Sequence, residues 1–277
     1  SYAITVRDAI AEVWLPKARV LVEAINALAS KYAEIAMLSR THGQPATPTT
    51  MGKELAVFAH RLNRQLLRVE QQNYLGKFSG ATGTFSAHLV AAPSVDWLAE
   101  SEAFVTGLGL TWNPLTTQIE SHDWQAELYS ALALFNRILH NFCTDVWTYI
   151  SMNYFKQIPA PGATGSSTMP HKINPIRFEN AESNLEFSNA ILDSLANTLV
   201  TSRLQRDLTD SSSQRNIGLG FGHSLLAIDN VLRGLGELEL SDAVLAADLG
   251  ENLEVLGEAI QTVIRAEVAA GRSKIEN

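Results

Sequence analysis

The chain is poor in cysteine and in basic clusters, and it holds no long apolar run. Its single cysteine among 277 residues, Cys143, can build neither a disulfide framework nor a thiolate metal cage. That scarcity fits a reducing, cytoplasmic setting. No uninterrupted apolar stretch approaches the roughly 20 residues a membrane span requires, and no signal-peptide pattern opens the chain, so no membrane partner is expected. Lys and Arg total 21 against 29 Asp and Glu, a formal net charge of −8, and no basic run offers to neutralise a phosphate backbone. A nucleic-acid partner is excluded on the same ground. Nine prolines are present, at positions 16, 45, 48, 93, 114, 159, 161, 170 and 175, and none follows Ile176. What remains is 46 % hydrophobic and 18 % charged, enough apolar content for a soluble globular fold of one large domain or two ordinary ones. The first residue is Ser rather than Met, which fits a piece of a longer protein.

All prolines but the first fall in stretches already rich in Gly, Thr or Ser, and the sequence between them has helical periodicity. Leu128, Leu132, Phe135, Leu139, Phe142, Val146 and Ile150 line one face of a helix predicted over 121–156, about 50 Å long at 1.5 Å per residue. Ile10, Trp14, Leu21, Ile25, Leu28, Tyr32 and Ile35 repeat the pattern at the start, with Pro16 predicted to kink it or mark a fresh start. Further helices are predicted over about 51–75, 94–108, 176–201, 211–238 and 242–267, and no sustained strand alternation is found. The class is all-α, an elongated bundle of long helices. Rods of this length cannot wrap one small core without leaving apolar seams in water, so partner chains are expected to cover them.

Three segments carry chemistry. Ser39–Pro48 is a polar turn stiffened by Pro45, Pro48 and Gly43, and it presents His42, whose imidazole suits acid or base work near neutrality. The plainer reading, a histidine that caps a helix end, stands beside it. Residues 159–175 hold four prolines and two glycines and are expected to form a lid that orders over a ligand. Within them Ser166, Ser167, Lys172 and Asn174 are suited to hold an anionic substrate and stabilise developing negative charge, with an ordinary linker as the alternative. In Ser202–Arg215, Arg206, Ser211 and Arg215 could converge on a phosphate, while Asp210 or Ser211 could cap the next helix.

The seven histidines show no metal-ligand spacing, so no metal or cofactor is expected. His122, at a helix start, reads as structural, and His171 as a solvent-facing loop residue. His60, His88, His140 and His223 are most simply surface or core residues. Gly218-Leu219-Gly220-Phe221-Gly222 follows no strand and reads as close helix packing rather than a nucleotide loop.

Taken together, the segments resemble the fumarase/aspartase superfamily. Gly165-Ser166-Ser167-Thr168-Met169-Pro170-His171-Lys172-Ile173-Asn174-Pro175 carries every fixed position of its signature, G-S-S-x-M-P-x-K-x-N-P. Thr41–Pro48 and Arg206–Ser211 resemble the adenylosuccinate lyase family in its bacterial form, and the likeness covers essentially every helix, weakening in the last dozen residues. The resemblance implies a central helical-bundle domain over 1–240, with signature loop 157–175, and the start of a C-terminal helical domain over 241–277. It also implies that the family's N-terminal domain and most of its C-terminal domain lie outside this chain. Implied roles are His42 as general acid, Ser166 as general base and Glu179 as the carboxylate that orients the histidine. Thr41, Gln118, Lys172 and Asn174 would bind substrate, and Arg206, Ser211 and Arg215 its phosphate. The implied activity is elimination of fumarate from adenylosuccinate, giving AMP, and from succinyl-aminoimidazole carboxamide ribotide. Argininosuccinate, malate or aspartate as substrate, or a non-catalytic helical scaffold, remain the alternatives.

The resemblance implies a homotetramer whose active sites are shared between chains, in agreement with the uncovered-seam argument. Sedimentation at micromolar concentration is expected to show an oligomer, and a stable monomer would contradict both arguments.

Overall fold

The computed structural model describes residues 1–158, 169 and 172–272. Helices dominate, and the strands among the described residues form three two-stranded sheets. The chain divides into two compact units: Ser1–Val22, His60–Thr144 and Ile176–Gly234 form the first, and Glu23–Ala59, Asp145–Pro175 and Leu235–Asn277 the second.

The chain opens with α1 (Tyr2–Ala9), a π-helical turn (Ile10–Trp14) and α2 (Leu15–Lys31). The π turn explains how Pro16 is accommodated. A proline inside a helix lacks an N–H and crowds the carbonyl four residues back, and a widened turn ahead of it relieves both faults. A hairpin follows, β1 (Ala36–Thr41) and β2 (Gln44–Thr50), then α3 (Met51–Glu70). The segment 71–122 holds β3 (Leu75–Gly76), α4 (Ser86–Ala91), α5 (Trp97–Gly107) and β4 (Thr111–Trp112), with β3 and β4 parallel. Helix α6 (Asp123–Ser151) is followed by β5 (Phe155–Gln157) and α7 (Ile176–Leu199). The remainder is α8 (Thr209–Ser213), α9 (Ile217–Gly236), β6 (Leu238–Leu240), α10 (Asp242–Glu251) and α11 (Gly257–Ala269).

The all-α expectation holds for the bulk of the chain, with local differences, among them the following three. The 39–48 segment is an antiparallel hairpin rather than a turn between helices. Its prolines pair with Arg40 and Leu38 in a two-stranded sheet, where a missing N–H breaks no central ladder. Helix α6 stops at Ser151, short of 156, because Asn153 takes the left-handed conformation at φ 59° and the Tyr154 N–H turns back to the Tyr149 carbonyl at 2.9 Å. The helix expected over 242–267 breaks at Asn252 into α10 and α11, joined by a 3-10 turn over Leu253–Leu256. Gly250 and Asn252 are weak helix formers, and Asn252 instead bonds the Asp248 carbonyl through its side chain at 2.7 Å.

In the first unit the expected stripe is buried. Leu128, Leu132, Phe135, Leu139 and Phe142 of α6 lie inside, and Trp14 meets Phe135 edge-on with ring centres 5.0 Å apart. Cys143 is enclosed too, and burial pushes its thiol well above the ordinary range. Gly220 lies inside α9, where its carbonyl accepts from the Ser188 hydroxyl at 2.7 Å, in keeping with helix packing rather than a nucleotide loop.

One polar chain crosses this core. Asn136 of α6 donates through Nδ2 to Ser188 Oγ (2.9 Å) and Asn189 Oδ1 (3.1 Å) on α7. Ser224 Oγ of α9 donates to Asn136 Oδ1 at 2.8 Å and accepts from Trp14 Nε1 at 3.0 Å. Every donor meets an acceptor, which is what makes such a chain tolerable in a core.

In the second unit the hairpin is held from both sides. Gly52 brings the start of α3 against the end of α2, its N–H 2.9 Å from the Tyr32 carbonyl, and a Cβ there would lie 2.4 Å from the Ala29 carbonyl oxygen. Arg40 of β1 pairs with Asp248 of α10 at 2.8 Å, and Tyr154 Oη donates to the same carboxylate. Burial, with that carboxylate alongside, pushes the Tyr154 phenol up to about 12.

Asn136→Ala is expected to lower unfolding stability by about 3 kcal/mol, because it strands buried hydroxyls on two helices. Urea denaturation measures this, and a loss under 1 kcal/mol would show that the chain does not hold the core.

Candidate active site

The second unit presents Thr41 and His42 at the hairpin tip, both exposed. The two-residue turn needs positive φ at both positions, and His42 (54°) and Gly43 (76°) supply it. The hairpin therefore holds the imidazole out from a backbone pinned by paired strands. Lys172 and Asn174 lie in the same unit, where Lys172 Nζ donates to Asn174 Oδ1 at 2.7 Å. Gln157 Nε2 donates to the Ile173 carbonyl between them at 2.7 Å, which ties the end of this segment to β5. Ser166 and His171, and most of the expected lid, lie outside the described residues.

The first unit carries the other candidates. Glu179 is exposed in the first turn of α7, beside the positive end of the helix dipole. Gln118 is fixed through its backbone. Its carbonyl accepts from Lys77 Nζ at 2.7 Å, and its N–H points to the Gln205 carbonyl at 3.4 Å. Burial alone holds the Lys77 ammonium below the usual lysine value. A cavity of about 480 Å³ opens here, with Lys77, Gln118, Glu120 and His122 on its polar side and Phe104 and Trp124 on its apolar side.

Gln205 leads into the arginine segment. Arg206 Nη1 donates to Asp210 Oδ2 at 3.0 Å, and His122 Nε2 meets that same oxygen at 3.1 Å. Ser211 lies in α8, and Arg215 is exposed in the 3-10 turn Gln214–Asn216. The expected cap by Asp210 or Ser211 is not formed: the N-cap position of α8 is Leu208, with no side-chain cap, and Asp207 just ahead of it accepts the Thr209 N–H (2.9 Å) and the Arg203 N–H (3.0 Å). The structure thus joins Gln118 to the Arg206 segment within one unit, and Lys172 to Asn174 within the other.

Among the described residues, the non-glycine positions with positive φ are His42 (54°), His122 (63°), Asn153 (59°) and Leu204 (50°). Asn153 ends a helix. His42 and Leu204 belong to segments singled out on chemical grounds, and His122 touches one of them, which is where backbone strain tends to be kept.

Comparison with known proteins decides the family. A family model described as Lyase matches residues 1–186. The chain belongs to this lyase family. A second model, described as Adenylosuccinate lyase C-terminal, matches residues 202–274 of this lyase chain. The chain is 53 % identical over 265 residues to the adenylosuccinate lyase of Escherichia coli (strain K12), covering 96 % of this chain and 58 % of that protein. It is 51 % identical over 266 residues to that of Vibrio cholerae and 49 % identical over 265 residues to that of Haemophilus influenzae, with the same coverage. The lyase chain thus spans 58 % of the length of these relatives. His42, Gln118, Lys172, Asn174 and Glu179 fall within the first match, and Arg206, Ser211 and Arg215 within the second.

Sequence reasoning gave no site role to His122, Asp210 or Lys77, which the structure ties to the candidates Arg206 and Gln118. Lys77 carried no signal, since it acts on a carbonyl 41 positions away. His122 had one, a lone histidine directly before a long helix, but its partner lies 88 positions downstream.

The two amides on Asp207, Thr209 first and Arg203 second, hold its carboxyl down to about 2. A depressed carboxylate contributes stability above its ordinary value, 3.8, and loses it as pH falls through about 2. A carbon-13 titration of the Asp207 carboxyl is expected to show its midpoint near 2. A midpoint near 3.8 would mean the two amide bonds are not formed in solution.

Proposed function

We propose that this chain carries the catalytic helical region of an enzyme that eliminates fumarate from adenylosuccinate, giving AMP, and from succinyl-aminoimidazole carboxamide ribotide. One arrangement supports the reading above all: the segment bearing Arg206, Ser211 and Arg215 hydrogen-bonds to the segment bearing Gln118, so phosphate-type and substrate-type side chains belong to one unit. Malate, aspartate and argininosuccinate carry no phosphate for such a cluster to hold. The names of the relatives, all adenylosuccinate lyases, point to the same substrate.

In this reading Ser166, as alkoxide, removes a proton from the succinyl carbon beside a carboxylate, and the electron pair spreads into that carboxylate as a dianion. Lys172 and Asn174, already tied to each other, stabilise that charge, each preorganised donor being worth about 3 kcal/mol of barrier. The electron pair then forms the fumarate double bond, the C–N bond breaks, and His42 protonates the departing nitrogen. Glu179 orients the imidazole, and Thr41 and Gln118 hold the substrate. Arg206, Ser211 and Arg215 bind the phosphate, a task that suits guanidinium forks and a hydroxyl. A free serine is a very weak acid, so the alkoxide requires a site closed to water.

The assembly is a homotetramer with active sites shared between chains, and residues 1–240 and 241–277 are its central and C-terminal helical portions. Exposed apolar side chains such as Val90 (88 % exposed), Leu115 (88 %) and Leu204 (94 %) are in keeping with self-association.

Ser166→Ala and His42→Ala, each in the full-length protein, are expected to bind adenylosuccinate and lose at least about 100-fold in fumarate release. Malate and argininosuccinate serve as controls. Turnover within tenfold of the unaltered enzyme would remove the assigned role from that residue.

A further inference from the structure

The Arg206 guanidinium is held in place by more than its neighbours in sequence. Asp210 takes one of its nitrogens, Nη1, and among the described residues Nη2 and Nε make no hydrogen bond. One edge of the fork is therefore fixed and another is open. The Asp210 side chain is 11 % exposed and the His122 side chain 13 %, against 24 % for Arg206, so the anchor lies deeper than the group it anchors.

His122 is itself pinned. Its backbone is left-handed, its N–H donates to Glu120 Oε2 at 3.0 Å, and Glu120 Oε1 accepts from Asn113 Nδ2 at 3.2 Å. Its ring nitrogen Nε2 also faces the Gln214 carboxamide at 3.1 Å. The Gln214 atom at this distance is Nε2; an imidazole nitrogen that donates to Asp210 has no lone pair left to accept from it, so with that tautomer the carboxamide turns its oxygen to the ring instead. A run of contacts thus leads from the Gln118–His122 segment through Asp210 to Arg206.

An aspartate beside an anion site is electrostatically unfavourable, because its charge repels the phosphate that the arginine is meant to attract. Orientation accounts for its presence. A free arginine samples many rotamers and must be ordered when substrate binds, whereas one already aimed loses less freedom on binding. We propose that Asp210 and His122 are positioning residues that aim the open edge of Arg206 at the phosphate of the nucleotide substrate. The proposal rests on the functional reading above and adds the device by which the phosphate subsite is set.

The test uses full-length protein and two substrates, adenylosuccinate and the same succinyl-nucleoside without its phosphate. Asp210→Ala and His122→Asn are the variants, asparagine being chosen because it tolerates the left-handed backbone at that position. For each, KM for adenylosuccinate is expected to rise at least tenfold with kcat within threefold, while KM for the dephosphorylated substrate stays within twofold. Equal losses on both substrates, or a loss confined to kcat, would overturn the assignment. If one variant fails to fold the other carries the test, and failure of both to fold also overturns it, since the contacts would then belong to the core. Unaltered full-length protein inert towards adenylosuccinate would sink the functional reading and this proposal together, whereas an active enzyme with equal losses sinks only the proposal.

Discussion

The first unit depends on the buried carboxamide of Asn136. A polar group in an apolar core is tolerable only when its hydrogen bonds are complete, and this one completes them with serines on two other helices and, through Ser224, with Trp14. Hydrophobic faces alone would let long rods slide by a turn at small cost. A shift of one turn here, about 5.4 Å, would leave several buried donors and acceptors without partners, so a single register survives. That register sets where α6 begins, and hence the place of His122, and where α7 ends and the arginine segment starts.

In each unit the candidate residues lie where helices stop. His42 occupies a hairpin tip, Gln118 and His122 the approach to α6, Lys172 and Asn174 the approach to α7, and Arg206 the link from α7 to α8. Within each unit, a segment between helices presents its side chains in a fixed way only where something holds that segment still. Paired strands hold His42, the Lys77 ammonium holds Gln118, and two amides on Asp207 hold the turn beside Arg206.

Much of the architecture was legible in the residues. The stripe from Leu128 to Phe142 announced α6, and proline-free sequence after Ile176 announced α7 and α9. The hairpin at 36–50 was hidden because Pro45 and Pro48 read as loop markers, although a small isolated sheet tolerates both. The break at Asn252 was hidden by apolar spacing that continues across it, while the backbone there follows the bond from its side chain to Asp248. The signature around Lys172 and Asn174 and the arginine segment were legible as chemistry.

The sequence by itself determined that this is a helical lyase-family chain and singled out the candidates for its chemistry, because apolar periodicity and a contiguous motif are local properties that survive without a fold. Only the tertiary structure decided that His122, Asp210 and Arg206 meet on one carboxylate oxygen, and that Lys77 grips the Gln118 carbonyl. Those contacts join positions 88 and 41 residues apart. Nothing in their spacing encodes them, since they exist only once packing has fixed the register of the helices that carry them.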